Sequence, residues 1–201
     1  MLTEKQIEEN KQKVIFLVNQ LDPQFCDIDS LLNFLDSSDF YVAPFTSKYT
    51  GSYKGGLCEY SLKVYLIFED LTKKYLPNTE SSSVILLGLF CNLWKTNYYE
   101  IYTRNQKNEQ GQRTQVQEYR VTESNNRYVC GSNGLNSFML ISRFCSLTES
   151  EIVTLVNYNC GMDDGYKNQD LPAILKKYPL VDLLHSANLI ACYVKSDWKI
   201  D

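Results

Sequence analysis

The feature that most constrains the fold is the run VILLGLFC at residues 84–91, which is apolar on every side of a helix. Ser81, Ser82 and Ser83 precede this run and predict helix N-caps, and the pattern predicts a helix over residues 84–94. A helix that is apolar all round is stable only when other elements cover it, so we expect it at the centre of a bundle. The run is too short to span a bilayer, so we expect no membrane partner.

Helix-start signals occur on both sides of this run. Thr3 with Gln6, and Thr148 with Glu151, have the spacing of a capping box, which predicts a helix beginning at each pair. Pro172 suits the first residue of a later helix. Apolar residues at helical spacing from Leu57 onward predict a further long amphipathic helix.

The sequence pattern changes once from that of helices to that of strands, after the central run. The segments YYEIYTR and TQVQEYRV are rich in Tyr, Thr and Val and flank the polar stretch NQKNEQGQ. This predicts one small β-hairpin insertion at about residues 98–129. The expected architecture is therefore one mostly α-helical domain over residues 1–201, with residues 1–39 as a helical segment packed on the core.

The histidine count excludes several metal sites. The chain has one histidine, His185, among its 201 residues. A zinc or iron site that needs two or three histidines, such as HExxH, cannot be built from it. We therefore expect no resident metal or other cofactor of this type.

Charge and cysteine usage limit the possible partners and the cellular compartment. The net charge of −4 and a pI of about 5.1 argue against binding long nucleic acids, which takes a broad basic face. The seven cysteines are odd in number and lack a CxxC pair, and the first helix has no signal-peptide core. These features predict free, buried thiols and a cytoplasmic protein.

Five segments taken in order resemble the HD-domain phosphohydrolases, especially the small versions found in bacteria and phages. They are FTSKYTGSYKGGLCEYSLKVY, LLGLFCNLWKTNYYEIY, GSNGLNSFMLISRFCSLTESEI, NYNCGM and LLHSANLIACYV, which together cover roughly residues 40–195. The resemblance implies an HD-like helical bundle. In that family one or two divalent metals on the bundle activate water to attack phosphate esters, often of nucleotides.

None of the family's metal ligands is kept at the matching positions. Where the family has His and Asp ligands, this chain has Tyr60, Cys91, Asn92, Asn133, Asn159 and Asn188. Neighbouring residues of the pattern do match, namely Lys48, Tyr53, Gly55, Gly56, Ser61, Lys95, Ser137 and His185. A neutral amide cannot supply the negative charge that holds a catalytic divalent metal. We therefore expect no metal-dependent hydrolysis, and hence no enzyme.

The substitutions also change how the site would treat a phosphate. Without a metal, an Asp at position 92 or 188 would repel a bound phosphate, and Asn removes that repulsion. Lys48 and Lys95 remain as cations that can meet a phosphate. Tyr49 and Tyr53 in the preceding loop can stack on a base. The predicted ligand site is the set Lys48, Tyr49, Tyr53, Tyr60, Cys91, Asn92, Lys95, Asn133, Asn159, His185 and Asn188.

Purely structural roles for the same residues are open alternatives to ligand binding. The four Asn residues can be mutually satisfied core amides of a decayed site, and His185 can make a structural hydrogen bond rather than serve a nucleophile. The tyrosines can be packing residues and the lysines solvated. Cys91, Cys130 and Cys160 can be inert thiols or, less in keeping with their spacing, thiolate metal ligands.

The leading hypothesis is a pseudoenzyme that binds a nucleotide or similar phosphorylated small molecule without hydrolysing it. A phage protein of this kind, in the cytoplasm of a bacterial host, would sequester a nucleotide signal of bacterial immunity. One alternative is a protein-interaction or structural protein with a vestigial pocket. Another is a metal-dependent phosphohydrolase with unusual ligands, and self-association into a homo-oligomer is also left open.

Overall fold

The computed structural model describes residues 1–107, 113–123, 127–160 and 170–194, and within them the chain is mostly α-helical with one two-stranded sheet. The helices are α1 (Glu4–Val18), α2 (Ile28–Ser37), α3 (Gly56–Tyr75), α4 (Ser81–Phe90), α5 (Asn133–Ile141), α6 (Glu149–Asn157), α7 (Leu171–Lys177) and α8 (Leu180–Leu189). A 3₁₀ turn (Leu93–Lys95) follows α4, and a π turn (Ile190–Val194) follows α8. This confirms the prediction of a mostly helical chain, while the HD-type arrangement of the bundle stays a prediction.

The centre of the fold is α4, as the apolar run predicts. Every residue from Val84 to Phe90 is buried, and α4 packs against α3, which in turn contacts α1 and α8. The close approach of α4 to α3 depends on Gly88, where an added Cβ would lie 2.7 Å from the Cα of Tyr65. Among the described residues, no helix is both long and apolar enough to cross a membrane.

The predicted limits of the central helix need correction at both ends. The helix begins at Ser81, after an N-cap at Glu80 that makes no side-chain capping bond, so the serines do not cap it. Ser83 instead donates to the carboxylate of Glu151 on α6 at 2.7 Å. The helix ends at Phe90 rather than residue 94, because the backbone tightens into the 3₁₀ turn.

The predicted start signals of the other helices are largely confirmed. Both capping boxes form, with Thr3 and Gln6 opening α1 and Thr148 and Glu151 opening α6. Pro172 lies in the first turn of α7. These bonds satisfy backbone N–H groups that a helix start leaves without partners.

The predicted hairpin is present in the described residues, as β1 (Tyr99–Lys107) paired antiparallel with β2 (Arg113–Val121). Its register runs from Tyr99 opposite Val121 to Lys107 opposite Arg113. Ion pairs cross it from Arg104 to Glu118 and from Arg120 to Glu100. The tip of the predicted insertion, residues 108–112, and residues 124–126 lie outside the described residues.

One pair of cysteines contradicts the expectation of free thiols. Cys26, in the loop between α1 and α2, forms a disulfide with Cys145, which follows α5. The two face each other in an isolated antiparallel bridge, although 119 residues separate them in sequence. Sequence spacing does not reveal such a pair, because tertiary packing alone brings the two loops together. Closing a loop of this length stabilises a fold by about 4–5 kcal/mol on a chain-entropy argument.

The close contact at Gly88 gives a test of the central packing. We expect Gly88→Ala to lower the free energy of unfolding by about 2 kcal/mol or more, because the new methyl group meets the backbone of α3. Urea unfolding followed by circular dichroism measures this. Ser81→Ala, at an exposed position of the same helix, is the matched control and should change stability by less than about 0.5 kcal/mol. Equal stability of the two variants would contradict the packing.

Candidate functional site

Four of the predicted ligand positions lie together at the buried end of α4. Tyr60 comes from α3, Cys91 and Asn92 follow α4, and Asn188 comes from α8. Tyr60, Cys91 and Asn92 are buried, and Asn188 is half-buried. Residues from α3, from α8 and from the segment after α4 thus lie close together in the structure.

These residues form a hydrogen-bond network with Tyr158, which we call the amide network (Tyr60, Cys91, Asn92, Tyr158 and Asn188). Asn92 Nδ2 donates to Asn188 Oδ1 at 2.8 Å and to Cys91 Sγ at 3.3 Å, and Asn92 Oδ1 accepts from the Tyr158 hydroxyl at 3.2 Å. Asn188 Nδ2 donates to the Leu184 carbonyl at 2.9 Å and to Cys91 Sγ at 3.6 Å. The Tyr60 hydroxyl donates to the backbone carbonyl of Asn188 at 2.9 Å.

The amide network is satisfied from within the protein. Both carboxamide nitrogens have two acceptors each, so Asn92 and Asn188 have no N–H group left for a ligand. Burial raises the pKa of the Cys91 thiol to about 12, which keeps it protonated. Burial likewise raises the pKa of Tyr60. The network therefore joins α3, α4 and α8 as neutral hydrogen-bonding groups.

The donors at this site do not fit a catalytic divalent metal. Asn92 donates an N–H to the Asn188 side-chain oxygen, and both amides donate an N–H to the Cys91 sulfur, where a metal needs anionic acceptors. Among the described side chains, no group of three His, Cys, Asp or Glu residues is arranged to hold a metal ion.

The side chain of His185 contacts the same region at a backbone carbonyl. Its Nδ1 lies 2.9 Å from the carbonyl oxygen of Tyr158, the residue whose hydroxyl binds Asn92. This contact fixes the position of Tyr158 at the end of α6. The geometry is that of a structural hydrogen bond.

Most of the remaining predicted positions lie at the start of α5, beyond the end of α6 and in the loop before α3. Asn133 is the first residue of α5, and Asn159 lies two residues beyond the end of α6; both are half-buried. In the loop before α3, Tyr49 is 83% exposed and Lys48 is also exposed. Tyr53 is half-buried, and its hydroxyl donates to the buried carboxylate of Glu59 on α3.

Lys95 is the predicted cation that the structure places in an unusual environment. It is only 8% exposed, and its Nζ lies 4.4 Å from the ring centre of Trp94, 4.6 Å from that of Phe45 and 5.6 Å from that of Tyr99. Its polar contact is the Tyr99 hydroxyl at 3.5 Å. The ion pairs found among the described residues do not include Lys95. Burial accordingly lowers the pKa of Lys95 to about 8.

Further aromatic groups extend this environment to the base of the hairpin. Tyr98 packs edge-on against both Trp94 and Tyr99, and the Arg127 guanidinium lies 5.5 Å from its ring centre. The buried Trp94 Nε1–H has no hydrogen-bond partner in the described part of the chain. We call Phe45, Trp94, Lys95, Tyr98, Tyr99 and Arg127 the cation–aromatic cluster.

Sequence reasoning found Lys95 but missed the rings around it. The signal is present in WKTNYY, because Trp94, Tyr98 and Tyr99 lie within five residues of one another around a lysine. Phe45 and Arg127 are distant in sequence, and only the fold brings them in. The cluster meets the amide network through Phe45, whose ring stacks on Tyr60 at 3.5 Å with an interplanar angle of 10°.

The amide network gives a test by restoring a carboxyl group. We expect Asn92→Asp to destabilise the protein by about 2–3 kcal/mol at pH 7, because a carboxylate there faces the Asn188 oxygen and loses its N–H donors. Below about pH 4 a protonated carboxyl can donate to Asn188, so the loss should shrink. Urea unfolding at both pH values measures the change, with exposed Asn78→Asp as the control. A pH-independent effect equal to that of the control would contradict the network.

Lys95 gives a second test, through its depressed pKa. Because the folded pKa of about 8 lies below the ordinary 10.5, the unfolded chain binds more protons between these values. The stability of the fold therefore rises as the pH rises from about 8 to about 10.5. Below about pH 8 the full cost of burying the charged lysine applies. We expect Lys95→Met to stabilise the unliganded protein by roughly 3 kcal/mol at pH 7, with a smaller gain at pH 9.5.

Chemical unfolding of the wild type, Lys95→Met and Lys74→Met at both pH values separates this effect from the other titrating groups. Lys74 is an exposed lysine in the last turn of α3, so its replacement should have little effect at either pH. A Lys95→Met variant less stable than the wild type at pH 7 would contradict the account, since the cation–π contacts would then outweigh desolvation.

Comparisons with protein families, with curated proteins and with solved structures found no match to this chain.

Proposed function

We propose that the protein binds a phosphorylated small molecule of the nucleotide class without hydrolysing it, and that the cation–aromatic cluster receives the phosphate. The fold proposed for it is an HD-like helical bundle whose metal site has been replaced by the amide network. This proposal moves the centre of the predicted ligand site from the Asn residues to Lys95.

The observation that carries the proposal is the buried charge of Lys95. A lysine that is 8% exposed and lacks a carboxylate partner in the described residues is costly to keep protonated. An anionic ligand removes that cost, because it supplies the missing counter-charge in a site of low dielectric. The Trp94 indole N–H on the neighbouring ring is a second buried donor, and it has no acceptor among the residues that the structure describes.

The rings of the cluster favour a nucleotide over a simple anion. Phe45, Trp94, Tyr98 and Tyr99 provide faces and edges within one group, and aromatic faces stack on nucleobases with little sequence preference. Arg127 adds a second cation beside Tyr98. A ligand with one planar ring and at least one phosphate matches this combination.

Binding without hydrolysis follows from the neighbouring amide network. Its side chains are neutral amides, a protonated thiol and phenols, which offer neither a metal-bound water nor a general base near pH 7. The biological role that fits is sequestration, and we extend the proposal to a phage protein acting in the bacterial cytoplasm on a nucleotide signal of bacterial immunity.

A protein-interaction role is the second candidate, and two observations favour it. The amide network is closed to ligands, as a vestigial pocket would be. The hairpin also exposes apolar side chains, with Ile101 at 64% and Tyr102 and Val121 at 39% each. Exposed apolar groups along a two-stranded ribbon suit contact with another protein surface.

Calorimetric titration with AMP, ATP and a cyclic dinucleotide tests the first proposal. We expect at least one to bind the wild type, and Lys95→Met to weaken that binding by about 10–100-fold, as for loss of a charged hydrogen bond. Lys74→Met is the control and should leave the affinity unchanged. Chromatography of the ligand after overnight incubation should show no product.

Three outcomes count against the proposal. They are the absence of binding heat with all three compounds, equal affinity of Lys95→Met and the wild type, and conversion of the ligand. Binding to another protein that Lys95→Met leaves intact, with no nucleotide binding, would favour the second candidate.

A further inference from the structure

The Cys26–Cys145 disulfide lies at a cleft near the start of α4, whereas the amide network follows the end of that helix. The two cysteines are buried, and backbone bonds flank them, from Asp27 N–H to the Phe144 carbonyl at 2.8 Å and from Ser146 N–H to the Phe25 carbonyl at 2.7 Å. The bond thus joins the loop between α1 and α2 to the loop between α5 and α6. None of this contributes to the proposed nucleotide site.

The cleft has a volume of about 390 Å³, and Cys26 forms part of its wall. Phe25, Leu86 and Leu147 give it an apolar surface, and Asp22, Glu80 and Glu151 place carboxyl groups around it. Cys145 is not among the described residues that line it. No lysine, arginine or histidine is among them either. We call this the Cys26 cleft.

We propose that the Cys26–Cys145 disulfide is a thiol-exchange site, and that the Cys26 cleft admits small thiols bearing a positive charge. The thiolate of the small molecule attacks Sγ of Cys26, a new sulfur–sulfur bond forms there, and the bond to Cys145 breaks. The electron pair of that bond leaves on Cys145, which takes a proton from water. One disulfide and one thiol are consumed and one of each is formed, so no separate oxidant or reductant is required.

The position of attack follows from access to the two sulfurs. Cys26 lines the cleft, and it also lines a second, more open depression formed by residues 23–29. Cys26 is 6% exposed and Cys145 is 3% exposed, and the backbone N–H of Cys145 is bonded to the Ile141 carbonyl at the end of α5. Exchange rates depend on which sulfur a thiolate reaches, so Cys26 receives the adduct and Cys145 becomes the free thiol.

The preference for a cationic thiol follows from the charges on the cleft wall. The Glu151 carboxylate is held by Ser83 and by Thr148, and Asp22 accepts from the Gln24 N–H, so both stay in place as acceptors. Glu80 is exposed, and its side chain makes no capping bond to α4. Carboxylates around an apolar cleft raise the local concentration of cations and lower that of anions.

The exchange changes how two parts of the fold are joined. With the disulfide open, the hydrogen bonds that join residues 22–27 to residues 142–148 in the described part of the chain are the two backbone bonds, Asp27 to Phe144 and Ser146 to Phe25. These segments carry the N-cap of α2, Asp27, and the N-cap of α6, Thr148. Exchange at Cys26 therefore acts on the starts of two helices at once.

Three thiols of similar size and different charge test the proposal on the full chain. They are cysteamine (cation), 2-mercaptoethanol (neutral) and mercaptoacetate (anion). Free thiols are first blocked with N-ethylmaleimide, exchange is then run under native conditions, and the products are trapped with the deuterated reagent and mapped by peptide mass spectrometry. Each rate is divided by the rate of the same thiol on a small, uncharged reference disulfide, which removes differences in nucleophilicity.

We expect the adduct on Cys26 and the deuterated label on Cys145. The normalised rate for cysteamine should exceed that for mercaptoacetate by about tenfold at low salt, and 1 M NaCl should reduce the ratio severalfold. Glu80→Gln should lower the ratio, whereas Asp70→Asn, which removes an exposed carboxylate of α3 away from the cleft, should not.

Four results would overturn the proposal. The first is that denaturing alkylation without reductant labels Cys26 and Cys145 as free thiols. The second is that the adduct forms on Cys145. The third is that the normalised rates do not depend on thiol charge. The fourth is a rate that equals the unfolding rate and does not rise with thiol concentration, since exchange would then occur only in the unfolded chain.

Discussion

Burial of α4 on all its sides is the constraint on which the other features depend. Its seven residues from Val84 to Phe90 leave no face for solvent, and Gly88 lets α3 approach to backbone contact. Because the helix ends at Phe90, the polar residues that follow it lie inside the fold. Asn92 is then directed at α8, and Lys95 is directed at the rings of Phe45 and Trp94.

Two groups of polar side chains, the amide network and the cation–aromatic cluster, lie side by side at this buried end. They differ in how fully their polar atoms are paired. The amide network pairs neutral donors with neutral acceptors, so it is stable without any ligand. The cation–aromatic cluster holds a positive charge that its own rings stabilise only in part. Buried polar groups normally have partners, so the incomplete cluster points to a ligand more directly than the complete network does. Asn92 and Asn188 therefore serve to link α8 to the end of α4, and the ligand site that we propose lies at the cation–aromatic cluster.

Local signals in the sequence predicted the local structure well. The capping boxes at Thr3 and Thr148 and the change of period before the hairpin correspond to elements of the fold, because each depends on residues close in sequence. The predicted end of α4 lies too far along the chain, because Ser137 of α5 binds the Cys91 carbonyl and the Trp94 N–H where the 3₁₀ turn replaces the helix. The Cys26–Cys145 pair and the approach of Phe45 to Lys95 depend on contacts between distant segments, which a single sequence does not reveal.

The most direct test of the central claim, that Lys95 holds a phosphorylated ligand, is mass spectrometry of the small molecules released by heat from freshly purified protein. The account predicts a phosphorylated compound with a nucleobase in the wild type and in Lys74→Met, at near one per chain, and its loss from Lys95→Met. Release of no phosphorylated compound from the wild type, or of equal amounts from Lys95→Met, would contradict the account.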